Sequence, residues 1–217
     1  MSMNLYLIRH AQSEGNRLKR IQGTMDFPLS EEGEKQAIAL GDRFKKVDLD
    51  YLYTSDLTRA FVTAEAIADT KGMAAQPWEK LREVHLGPLQ GKTREEIYAQ
   101  YPEANKESLI TSGIAGTETV AELEARCETL LDQLLLAHRD KNVAIVSHGG
   151  FLSVLMMYIL TGKDWVNYHR PFRFGNTSVT HLEWPRGTGK PYLHYMNDRT
   201  HLRDQLNAMT DRKIDIL

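Results

Sequence analysis

Five side chains able to handle a phosphoryl group are spread along this 217-residue chain: Arg9, His10, Arg59, Glu83 and His148. Two arginines offer planar forks that match the oxygens of a dianion. A neutral imidazole attacks phosphorus through one ring nitrogen when an acceptor holds the proton on the other. A carboxylate beside them can give a proton to a departing oxygen and then take one from water. Each residue also has an ordinary reading. A lone strand-end histidine is commonly a hydrogen-bonded polar group, Arg59 alone would be a helix-face charge, and Glu83 has Glu79 and Glu95 as neighbours. The chemistry therefore rests on the set being brought together.

The surrounding elements suggest how. Leu5 to Ile8 is a short apolar run that passes straight into Arg9-His10 and the polar turn Ala11 to Asn16, the pattern of an inner strand of a parallel sheet. Asn142 to Ser147 repeats it, ending in His148-Gly149-Gly150 ahead of a helix from Phe151 to Leu160. In open α/β sheets ligands gather at the carboxyl ends of strands, which would put both histidines at one rim. Between these strands the spacing predicts helices over Glu31–Lys46, Leu57–Lys71, Thr93–Tyr101 and from Thr119 to His138. Arg59 falls in the first turn of the second, after a strand Tyr51–Tyr53, and Glu83 lies in an irregular stretch from Pro77 to Gly91. A strand Val179–Trp184 turns through Pro185 to Pro191 and returns as Tyr192–Met196. The expected architecture is an α/β fold, a three-layer α/β/α sandwich around a mostly parallel central sheet, in one domain over 1–217 with 197–217 a polar tail.

Composition sets outer bounds. Apolar residues at 41% and charged residues at 26% are globular values. A net charge of −2 gives no general attraction to nucleic acid or membrane, so neither is expected as a partner. The single cysteine, Cys127, excludes an internal disulfide framework. A strand starts within a few residues of Met1, without the zones of a signal peptide, and no apolar run nears the ~18 residues of a membrane helix. A cytoplasmic protein is expected, with a small-molecule substrate; a homodimer stays open.

The segment Leu7 to Asn16, L-I-R-H-A-Q-S-E-G-N, resembles the R-H-G-x-S/T-x-x-N signature of the histidine phosphatase superfamily, in its phosphoglycerate-mutase-like branch. Further segments fit in order: Gln22-Gly23 with Asp26 and Gly33; Ser55-Asp56-Leu57 with Arg59; Glu83 with Gly87 and Gly91; and Ser147-His148-Gly149-Gly150. The resemblance covers nearly all of residues 4–184. It implies a phosphoglycerate-mutase-like fold and a metal-independent phosphatase without organic cofactor, working on phosphomonoesters through a phosphohistidine at His10. It further implies that Arg9, Arg59 and His148 complete the phosphate pocket, that Glu83 is the proton donor and that the Asn16 amide reaches the phosphate. Gln22 and Gly23 join the phosphate-binding set, with Gly149 and Ser55 as lesser candidates.

Two positions depart from the pattern. Ala11 replaces the usual glycine and could narrow the approach to His10, and Gly15 stands where a bulky residue is common, which would widen the entrance or loosen its loop. Two alternatives follow. One is a cofactor-dependent phosphoglycerate mutase, favoured by Gln12-Ser13-Glu14 and Leu89-Gln90-Gly91, although the stretch Thr93–Thr119 is short and carries Arg94 but no cluster of arginines. The other is a non-catalytic, phosphate-binding regulatory member. Arg17, Lys19 and Arg20 could form a substrate-facing rim, and His85, His169, Arg170 and Arg173 the leaving-group side. Other motifs fail on context: Asp48-Leu49-Asp50 follows a charged helix end, Cys127 lacks an arginine six residues on, Gly187 to Lys190 reads as a hairpin turn, and no metal-ligand spacing stands out.

Overall fold

The computed structural model describes residues 2–105, 108–168 and 171–202. Its centre is a six-stranded sheet: β1 (Ser2–Arg9), β2 (Tyr51–Thr54), β3 (Gln76–Pro77), β4 (Asn142–Ser147), β5 (Val179–Pro185) and β6 (Tyr192–Asp198), in the order β3-β2-β4-β1-β5-β6. The first four run parallel, while β5 pairs antiparallel with β1 and β6 with β5. The helices are α1 (Glu14–Arg17), α2 (Glu31–Phe44), α3 (Thr58–Lys71), α4 (Arg94–Gln100), α5 (Val120–Ala137) and α6 (Gly149–Thr161).

Successive side chains of a strand face opposite ways, and β1 feeds two cores. Leu5 and Leu7 pack with Leu123, Leu130 and Leu134 of α5 and Leu152 and Leu155 of α6; Ile8 joins Leu40 and Phe44 of α2 and Ala60, Ala64 and Ile67 of α3. Helices thus cover both faces, giving the three-layer α/β sandwich. α2, α4 and α5 start where Ser30, Thr93 and Thr119 accept hydrogen bonds from N–H groups of the first turn, and α3 stops at Gly72 in the left-handed region.

The differences from the sequence reading lie at element ends. α2 closes two residues early and α6 begins two residues early, directly on the histidine turn. The stretch after Gln12 forms the single turn α1 because Ser13 and Asn16 cap each other reciprocally. β3 is two residues with no apolar pattern. β6 runs on to Asp198, so the first residues of the supposed tail belong to the sheet, and Leu202 is buried beyond them. Residues 203–217 lie outside the described residues.

Candidate active site

Register brings the two histidines together. β1 and β4 are parallel with Arg9 opposite Ser147, so the chains leave the sheet side by side at His10 and His148. Their ring centroids are 5.1 Å apart, and both residues are almost fully buried. His10 Nδ1 lies 2.6 Å from the Ala11 carbonyl oxygen. A carbonyl only accepts, so Nδ1 carries the proton and the lone pair is on Nε2. Burial, then the charges of Arg59 and Arg9, hold the His10 imidazole well below its ordinary pKa of 6.5. His148 is pushed the same way by burial, Arg59 and its neighbour His10, and neither of its ring nitrogens has a protein partner among the described residues.

Arg59 enters from the start of α3, whose first turn has no cap from its own N-cap residue Leu57. Asp26 supplies it from a distant loop, accepting from the Thr58 N–H at 2.9 Å and the Thr58 hydroxyl at 2.5 Å. The same loop holds the guanidinium: Nη2 donates to the Gly23 carbonyl at 2.7 Å and Nη1 to the Met25 carbonyl at 2.8 Å, leaving Nε without a protein partner among the described residues. Burial lowers the Arg59 pKa to about 10, well above neutrality, so the cation persists. Arg9 donates from Nη1 to the Phe174 carbonyl at 2.6 Å, and its flat guanidinium lies against Gly149, where an added Cβ would stand 3.2 Å from Nε.

Glu83 reaches the first turn of α6. Its Oε2 accepts from the Gly150 N–H at 3.0 Å, and Oε1 accepts from Phe151 N–H at 2.7 Å and Val84 N–H at 2.9 Å. A helix begins with unpaired N–H groups, and this carboxylate satisfies two of them at its positive end. The segment is clamped from behind by Arg126, a residue that no local pattern singles out. Its guanidinium donates to the Arg82 carbonyl and to the half-buried Glu118 carboxylate, both at 2.9 Å, and lies over the Phe151 ring at 4.1 Å. Gln90 similarly ties together Thr24 and Leu86, accepting from their N–H groups at 2.8 and 3.1 Å.

These groups border a cavity of about 400 Å³ lined by Arg9, His10, Asn16, Gln22, Gly23, Arg59, Glu83 and Gly149, with Leu109, Ile110 and Phe172 as apolar wall. Arg20, Arg94 and Arg173 stand at its exposed mouth, so five arginines face one carboxylate among the described lining. Arg17 instead pairs with Glu14, and Lys19 is not part of the lining. His85 turns away to Thr24, and Ser55 serves the turn into α3 by accepting from the Leu57 N–H at 3.3 Å. His169 and Arg170 lie outside the described residues.

The departures at Ala11 and Gly15 read differently in place. Ala11 is buried, donates its N–H to Thr63 at 3.0 Å and does not need a positive φ, so no glycine is required there. Gly15 does not open the entrance. It is buried against Gln22, and a Cβ on it would stand 2.5 Å from the Gln22 side chain, which fills the space a larger residue would take. No group of three or more His, Cys, Asp or Glu side chains that could hold a metal ion occurs among the described residues. No described helix is long and apolar enough to cross a membrane.

Paired strand-end histidines with inward arginines, on a sheet flanked by helices, define a phosphoglycerate-mutase-like protein. The chain belongs to the histidine phosphatase superfamily (branch 1), matching it over residues 5–199. It is 32% identical over 209 residues to "Probable phosphoglycerate mutase GpmB" of Erwinia tasmaniensis, covering 93% of this chain and 96% of that one. Among solved structures, YhfR of Bacillus stearothermophilus superposes with a TM-score of 0.82 at 30% identity, covering 92% and 99% of the two chains. A mycobacterial glucosyl-3-phosphoglycerate phosphatase gives 0.80 at 29% identity, covering 92% and 100%.

Proposed function

We propose that this protein is a metal-independent phosphatase that hydrolyses phosphomonoesters of small molecules through a phosphohistidine on His10. The observation that carries the reading is the hydrogen bond from His10 Nδ1 to the Ala11 carbonyl, which leaves Nε2 as a neutral nucleophile inside a cationic pocket. His10 Nε2 attacks phosphorus as the bond to the ester oxygen breaks, and that oxygen takes a proton from Glu83, which enters this step protonated and leaves it as the carboxylate. Water then attacks the phosphohistidine, giving its proton to Glu83. The P–N bond breaks, its electrons return to Nε2, and phosphate leaves. Arg9 and Arg59 balance the charge on the phosphoryl oxygens, the contribution that usually dominates such transfers. The amides of Asn16 and Gln22, the Gly23 and Gly149 backbone and the His148 ring complete the cradle.

A phosphoglycerate mutase is the second reading, favoured by the GpmB likeness and by Arg20 and Arg173 at the mouth, which supply cations that the Thr93–Thr119 stretch lacks. The test is phosphate release from p-nitrophenyl phosphate and a panel of natural monoesters in excess EDTA, for wild type beside His10→Ala. A second arm follows interconversion of 2- and 3-phosphoglycerate with a bisphosphoglycerate primer. Release by the wild type alone supports the phosphatase; isomerisation without release makes it a mutase. Vanadate binding without either activity makes it a regulatory member. Loss of activity in EDTA, or retention in His10→Ala, overturns the mechanism.

A further inference from the structure

Asn176 lies in the turn between Phe174 and Ser178, outside the cavity lining, yet its side chain touches two residues of the site from behind. Its Nδ2 donates to the His10 carbonyl at 3.0 Å and to Asn16 Oδ1 at 3.2 Å, which uses both of its N–H groups. The His10 carbonyl can only accept, so the orientation of the Asn176 amide is settled by a backbone atom.

The orientation of Asn16 follows in turn. Its Oδ1 accepts from the Ser13 N–H at 3.2 Å. The Ser13 hydroxyl stands 3.1 Å from Asn16 Oδ1 and 2.8 Å from Gln22 Oε1. A hydroxyl has one proton, and the shorter contact takes it to Gln22. Two dependable donors then hold the Asn16 oxygen, the Ser13 N–H and the Asn176 amide. With its oxygen held there, the Asn16 NH2 has no protein partner among the described residues and is left to the cavity, which Asn16 lines. The turn bearing Asn176 is itself held in place: Thr177 is fully buried at a φ of 55°, uncommon for a β-branched residue, and its N–H donates to the Arg9 carbonyl at 3.0 Å. The His201 ring lies 3.1 Å from the Thr177 hydroxyl. Strain of this kind persists where surrounding contacts over-determine the backbone.

We infer that Asn176 is a positioning residue that fixes the Asn16 amide with its NH2 toward the bound phosphoryl group. This rests on the phosphoryl-pocket reading above. The test is a double-mutant cycle read by orthovanadate inhibition or, where there is no turnover, by vanadate binding. It compares wild type, Asn176→Ala, Asn16→Ala and the double variant, with the melting temperature of each recorded. Losing one donor on Asn16 is expected to weaken vanadate about fivefold to tenfold in the wild-type background. In the Asn16→Ala background the same substitution is expected to cost less than twofold, because the group it acts through is gone. Asn176→Asp keeps the size but sets an acceptor against the His10 and Asn16 oxygens, and is expected to lose at least as much, with a lower melting temperature. An equal loss in both backgrounds, or none in the wild-type background, overturns the proposal. A wild type that neither hydrolyses a monoester nor binds vanadate refutes the pocket reading itself, and the proposal falls with it.

Discussion

Gly150→Ala isolates the placement of Glu83 from its chemistry. The new Cβ would stand 2.7 Å from Glu83 Oε1 and 3.1 Å from Glu83 Cδ, where ordinary contact begins at 3.4 Å. Relief requires the carboxylate to retreat by 3.4 − 2.7 = 0.7 Å, since the other neighbour, Ile110 Cδ1 at 3.1 Å, is part of the buried wall. Misplacing a reacting group by about 1 Å costs on the order of a hundredfold, so this shift should cost roughly ten- to a hundredfold in kcat. The fold should tolerate it, because replacing glycine by alanine in a helix gains about 0.5–1 kcal/mol, offsetting a weakened hydrogen bond of similar size. The assay is phosphate release from an alkyl monoester and from p-nitrophenyl phosphate. A proton donor matters for an alkoxide and little for an acidic phenol, so the alkyl ester should suffer most. An unaltered rate on the alkyl ester, or an equal loss on both, would refute the placement of Glu83 as proton donor.

Other outcomes follow from the same geometry. Arg59→Lys cannot hold both the Gly23 and Met25 carbonyls and still face the cavity, and kcat/KM should fall at least a hundredfold with faster proteolysis of the Ile21–Pro28 loop. Ala11→Gly should leave kcat/KM within twofold and lower stability by about 0.5–1 kcal/mol through the freer unfolded chain, measured by urea titration. His10 and His148 are held well below 6.5, so the unfolded chain binds more protons than the folded one as pH falls below that value. Their contribution is complete above pH 6.5 and lost on going down toward the folded pKa values, at about 1.4 kcal/mol per pH unit each. A urea midpoint that stays level between pH 7.5 and 5.5 would contradict this.

What the sequence made legible was the part governed by short-range pattern. Leu5–Ile8 within β1 and Val143–Val146 within β4 are short apolar runs, and each points at its histidine. Thr119 with Glu122 marked the start of α5 to the residue. What it hid is long-range. β3 forms because Gln76 and Pro77 lie beside Tyr53 and Thr54, without any pattern of their own. Asp26 caps a helix 32 residues away, and Arg126 grips the Arg82 carbonyl across 44, links that no local window contains. Gly15 misled at shorter range, since the side chain that fills the space beside it, Gln22, comes from the following loop. Asn176 sat in a stretch with no chemistry of its own, and only its contact with His10, 166 residues earlier, gives it meaning.

The place of β1 between β4 and β5 also sets the order in which the protein can be made. Asn4 waits for Asn142, 138 residues downstream, and its other neighbour strand comes later still. At about 5–20 residues per second the ribosome takes on the order of ten seconds to supply the first partner. Through that interval the Leu5–Ile8 segment is an unpaired apolar strand on a growing chain, the kind of segment that invites association with other nascent chains. Both histidines acquire their surroundings only when β4 and β5 close over it. A truncated product ending before β4 would therefore be sticky and inert at once, a natural client for chaperones and proteases.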